Sequence, residues 1–101
     1  MCVETRAKGW AMYVADLQID EDNEAEMAAH GVTPEEVWQV WRNAPRYFRN
    51  KRGCNATHLM VGPTLGGRML TVPLAPTAQD DVWRPATAYD APTGDRTRYK
   101  R

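Results

Sequence analysis

The hydrophobic period of this chain changes at Pro45, and that change constrains the fold more than any other feature. Before it, Val37, Val40, Trp41 and Ala44 recur at steps of three and four, the spacing of one helix face. After it, Leu59 and Val61, then Leu70, Val72 and Leu74, recur at steps of two, the spacing of one strand face. Helices followed by a run of strands predict an α+β domain. The 101 residues suffice for one modest core. At 43% hydrophobic residues the chain has the apolar content to close that core. No apolar run approaches the ~20 residues of a membrane span, so the expectation is a cytoplasmic protein with no membrane partner.

Two helices are expected. Asn23 with Glu26 three residues later forms a capping-box pattern, and Gly31 supplies a stop. Thr33-Pro34-Glu35-Glu36 is a stronger start. It combines a hydroxyl cap, a proline at the first helical position and a glutamate at the third, with two carboxylates at the positive end of the dipole. Pro45 ends this second helix, and Val37, Val40 and Trp41 are its expected core residues. Residues 1–11 show no clean period and are expected to form a flexible N-terminal extension ahead of a single domain over residues 12–101.

A short strand at residues 13–19 precedes the helices, with Tyr13, Ala15, Leu17 and Ile19 in phase. Beyond Pro45, strands are predicted over 46–50, 57–62, 68–74 and 82–89. A basic turn at Lys51-Arg52-Gly53 and a glycine turn at Gly66-Gly67 separate the first three. The short loops favour an antiparallel meander, giving a curved antiparallel sheet of about four strands under the helices. Pro73 and Pro85 fall inside these strands and should occupy an edge, a bulge or an end. The basic segment after Asp90 has room for one helical turn capped by Thr93 or Asp95.

The net charge of zero conceals a division. Residues 1–45 carry three Lys/Arg against nine Asp/Glu, and residues 46–101 carry ten against four. Such asymmetry describes either two differently solvated faces or a surface for a polyanion. Familiar catalytic signatures are missing. The chain has no serine, and Gly66-Gly67 lacks the lysine and helix of a phosphate loop. Cys2, Cys54, His30 and His58 have no zinc-ligand spacing, so neither metal nor cofactor is expected. A Cys54–His58 pair would stand roughly 13 Å apart along a strand. What remains is basic residues interleaved with aromatics: Arg46, Tyr47, Phe48, Arg49 and Lys51 in one stretch, and Arg84, Tyr89, Arg96, Arg98 and Tyr99 in another. Guanidinium groups match phosphate oxygens and rings stack on unpaired bases. Cleavage of RNA by its own 2′-hydroxyl needs no metal where side chains move the protons. The competing reading is that the rings are core and the arginines merely solvated.

Several short motifs occur together in an order that resembles the BrnT-type toxins. They are His30-Gly31-Val32 before Glu35-Glu36-Val37; Val61-Gly62-Pro63-Thr64 before Gly66-Gly67-Arg68-Met69-Leu70-Thr71-Val72; Trp83-Arg84-Pro85-Ala86-Thr87-Ala88; and Asp95-Arg96 with Tyr99. The resemblance spans about residues 16–101. It implies a fold like that of RelE-type ribonucleases and an RNA-cleaving toxin of a type II toxin–antitoxin pair. RNA and a small DNA-binding antitoxin would be the partners, and a homodimer is an open expectation. Carried over by position, Arg84, Tyr99 and His30 are the catalytic candidates. Arg68, Arg84 and Arg96, with Arg46 and Arg49 from the basic–aromatic stretch, are the phosphate-binding ones. The family places a cation where this chain has Tyr89, and a glutamate where it has Asp95. The alternative is a catalytically inactive RNA- or protein-binding module on the same scaffold.

Overall fold

A computed structural model describes residues 12–51 and 55–101. The expectation for residues 1–11, Arg52 and Gly53 of the basic turn, and Cys54 lie outside the described residues. The elements are β1 (Asp16–Leu17), α1 (Glu21–Ala28), α2 (Pro34–Arg42), β2 (Arg46–Arg49), β3 (His58–Pro63), β4 (Met69–Pro76), β5 (Val82–Pro85), β6 (Tyr89–Asp90) and α3 (Thr93–Lys100).

Helix α1 begins earlier than the cap pattern predicts. Asp20 is the N-cap, accepting the Asn23 N–H at 3.0 Å, while the Asn23 side chain accepts the Asp20 N–H at 2.8 Å. Asn23 is therefore the third helical residue, not the cap. The segment just before the helix settles the choice, because buried Asn23 also donates to the Gln18 carbonyl at 2.9 Å. The helix closes at Gly31 (φ +72°) through Gly31 N–H to Ala28 O and Val32 N–H to Met27 O, a left-handed stop that favours glycine. Helix α2 starts as its motif predicts. The Glu36 N–H reaches Thr33 Oγ1 at 3.2 Å, and Glu36 Oε1 accepts the Thr33 N–H at 3.1 Å. Val37 and Val40 are fully buried, whereas Trp41 lies half-buried with its indole N–H on the Val14 carbonyl.

The sheet has six strands in the order β1-β5-β4-β3-β2, with β6 also paired to β4. It is mixed: β1 runs parallel to β5, and the other pairings are antiparallel. Two features raise the count above four. The N-terminal strand joins the sheet beside β5, because the helices between them carry the chain across. The expected strand 82–89 is two strands: Pro85 ends β5, and after Ala86–Ala88 the chain pairs again as β6. Pro73 lies mid-strand, yet it breaks no ladder. Its carbonyl accepts the Ala86 N–H, so its peptide edge faces the gap between the β6 pairing at Leu70–Thr71 and the β5 pairing at Leu74–Pro76.

Both faces of the sheet are covered. Met60 and Val72, partners in register, pack with Leu70 and Leu74 against Met27, Val37 and Val40. The adjacent row, Arg46–Val61–Thr71–Tyr89, belongs to the other face, where α3 lies. That helix has two turns, not one, and neither Thr93 nor Asp95 caps it; Pro92 holds the N-cap position without a side-chain bond. It carries no buried residue, so specific contacts hold it. Arg98 stacks 4.2 Å over Phe48, Thr71 Oγ1 donates to Asp95 at 2.8 Å, and Tyr99 Oη donates to the Ala44 carbonyl at 3.1 Å. Arg46 Nη1 donates to the carbonyls of Arg98, Tyr99 and Arg101, satisfying acceptors that a helix end otherwise leaves to water.

Candidate functional site

The arginines expected to grip phosphate do not form one patch. Arg68 stands immediately before β4, and Ala75, the register partner of Arg84, lies near its far end. At 3.3 Å per residue these positions are roughly 20 Å apart. Arg84 donates from Nη2 to both Asp20 carboxylate oxygens at 3.0 Å, tying β5 to the cap of α1. The Asn23 backbone bond first, and Arg84 further, hold the Asp20 carboxyl below its ordinary range. Arg68 is engaged too. Nε reaches Asp90 at 2.7 Å, and Nη1 reaches Glu36 at 3.2 Å and the Gly31 carbonyl at 3.0 Å. It pins the α1–α2 turn to β6.

Of the remaining candidates, Tyr99 and Arg46 serve the C-terminal end of α3, as described above. Arg96 is exposed, and its charge adds to the pull that Arg68 exerts on Asp90, whose pKa is lowered chiefly by the Arg68 bond. His30, also exposed, meets the Tyr89 ring edge-on at 5.9 Å. Arg68, Arg96 and His30 thus gather around Tyr89 and Asp90, while Arg84, Arg46 and Tyr99 do not join them.

The fifth phosphate-binding candidate, Arg49, lines a cleft of about 390 Å³ between the end of β2 and the start of α3. Lys51 and Arg98 add two further cations, Tyr89 an aromatic wall, Leu59 and Pro92 apolar surface, and Asp95 the carboxylate. This volume is at the small end of ligand sites. Burial, and secondarily the Asp95 charge, raises the Tyr89 pKa, so its hydroxyl remains a proton donor throughout the neutral range. Nearby, burial and the Arg49 charge lower the His58 pKa, favouring the neutral imidazole. Burial alone pushes Tyr47 up to about 12.

No family model matches this chain, and no curated protein matches it. The site must be read from its own chemistry. Among the described residues, no group of three or more His, Cys, Asp or Glu side chains could hold a metal ion. No described helix is long and apolar enough to cross a membrane. What the cleft offers is cations from β2, from the turn after it and from α3, beside one phenol and one carboxylate. An anion with an aromatic or planar group attached fits that inventory. Sequence reading named Arg49, Lys51, Tyr89 and Arg98 among the interleaved basic and aromatic residues, assigned phosphate binding to Arg49 alone of the four, and gave Asp95 no role at a site. One signal was available: Tyr89 and Asp95 are the two places where the chain departs from the pattern it resembles.

Proposed function

We propose that this chain binds single-stranded RNA in the cleft and cleaves it without a metal, in the manner of the BrnT-type toxins it resembles. One observation carries the proposal: Arg49 and Lys51, from the end of β2 and the turn after it, and Arg98 from α3 line one cleft with Tyr89. The cations take the scissile phosphate and the charge that grows on it as the 2′-oxygen attacks. Tyr89, kept protonated by its surroundings, supplies the proton to the departing 5′-oxygen. Leu59 and Pro92 offer the base an apolar seat. The setting that accompanies this reading is the cytoplasm, with a small DNA-binding antitoxin as protein partner.

The test is binding and cleavage of a mixed-sequence RNA oligonucleotide in the presence of a chelator. Three phosphate-facing cations predict a log–log salt slope of about −2 for single-stranded RNA, made shallower in Arg98→Ala and Lys51→Ala. Products carrying a 2′,3′-cyclic phosphate support cleavage. Salt-insensitive or undetectable binding refutes the proposal outright. A second reading, RNA binding without cleavage, is favoured by the engagement of Arg84 and Tyr99 in purely structural contacts. It predicts the same salt slope with intact RNA.

A further inference from the structure

We infer that Asp95 is the catalytic base of the cleavage proposed above, oriented by the buried hydroxyl of Thr71, and the inference rests on that proposal. Thr71 is fully buried in β4, between Val61 of β3 and Tyr89 of β6. Val61 and Val72 beside it are apolar and equally buried, so packing alone would be served by a valine there. A buried hydroxyl needs a partner, and this one donates to Asp95 Oδ2 at 2.8 Å. The bond crosses from the centre of the sheet to the first turn of α3. There the helix dipole also favours the carboxylate.

Electrostatics sharpen the case. A carboxylate in a cleft lined by three cations opposes the binding of phosphate, so its presence runs against simple anion capture. It suits a reaction that must remove a proton. Among the described residues the carboxylate accepts one hydrogen bond, at Oδ2, and Asp95 is part of the cleft wall. In the step inferred, Oδ1 takes the proton of the ribose 2′-hydroxyl as the 2′-oxygen bonds to phosphorus. The bond from phosphorus to the 5′-oxygen breaks, and that oxygen takes the Tyr89 proton. Solvent then carries the proton from Asp95 back to the Tyr89 phenolate, restoring both groups. Thr71 touches no substrate; it is a positioning residue.

The experiment compares the wild-type chain, Asp95→Asn and Thr71→Val on one RNA oligonucleotide with chelator present. Asp95→Asn should bind RNA several-fold more tightly, having lost a repulsive charge, while kcat falls about 10²–10⁴-fold, the usual worth of a general base. Thr71→Val should keep KM and lose roughly tenfold in kcat. Thr71→Ser, which keeps a hydroxyl to donate to Asp95, should recover wild-type kcat. Recovery by serine separates positioning from mere loss of stability, and it serves if Asp95→Asn fails to fold. Wild-type kcat in Asp95→Asn, or a kcat in Thr71→Ser no higher than in Thr71→Val, overturns the inference while RNA cleavage stands. A wild-type chain that binds RNA and leaves it intact sinks cleavage and the inference together.

Discussion

Replacing Gly62 by alanine tests how the two halves of the molecule meet. A Cβ on Gly62 would lie 3.1 Å from Pro45 Cα, 3.3 Å from Pro45 Cβ and 3.4 Å from Val40 Cγ1. The first of these is backbone at the corner joining α2 to β2, held by a proline ring and a left-handed Ala44 (φ +51°), so it has little room to give. Overpacking of this kind costs about 1–3 kcal/mol. Reduced freedom of the unfolded chain returns about 0.4–1 kcal/mol. The net loss expected is therefore about 1–2 kcal/mol. For a domain of this size that lowers Tm by roughly 4–16 °C. Gly94→Ala is the internal control, because a Cβ there meets nothing within 4 Å, and it should stabilise by about 0.4–1 kcal/mol. The assay is urea unfolding followed by tryptophan fluorescence, with the midpoint compared at constant m. A Gly62→Ala protein as stable as wild type would refute the close approach of α2 to β3.

Tyr89→Phe keeps the ring and removes the proton, so RNA affinity should change less than twofold while cleavage falls about 10²–10⁴-fold; gel-resolved turnover with a parallel binding isotherm reads both. Arg46→Ala leaves the carbonyls of Arg98, Tyr99 and Arg101 without their donor, and amide exchange in α3 should quicken selectively over that in β3 and β4. Because the folded His58 pKa lies below its ordinary value, the unfolded chain binds the extra proton first. Stability should therefore decline as pH falls below about 6.5, until folded His58 itself protonates, and His58→Gln should flatten that slope in urea titrations. The Asp20 pKa is lowered as well. Its stabilising contribution is complete above the unfolded value of about 3.9 and is lost as pH falls through the folded one. In Arg84→Met that loss should begin at a higher pH in acid-unfolding curves.

The start of α2 was legible in the sequence because capping is local. Thr33, Pro34 and Glu36 act within one turn, and no distant residue needs to agree. The same rule misplaced the start of α1, where Asp20 and Asn23 each suit a cap and the Gln18 carbonyl, outside the helix, decides between them. Strands β3 and β4 could be read from their alternation. The split of the last strand could not, since pairing of β5 and β6 to different parts of β4 depends on what stands opposite. The arginines were the hardest to read. Sequence shows that Arg68 and Arg84 are charged, but not that Glu36, Asp90 and Asp20 lie within bonding distance.

The sequence by itself determined the α+β class, the start of α2 and the alternation within the central strands. These follow from periodicities and caps that operate over a few residues. Tertiary structure alone decided that α3 lies across the second face of the sheet, that Arg68 and Arg84 tie elements together, and that Arg49, Lys51, Arg98, Tyr89 and Asp95 share one cleft. The reason is physical. A side chain's chemistry is set by the charge and burial of neighbours that the fold brings in from dozens of residues away, and linear order carries no record of those distances.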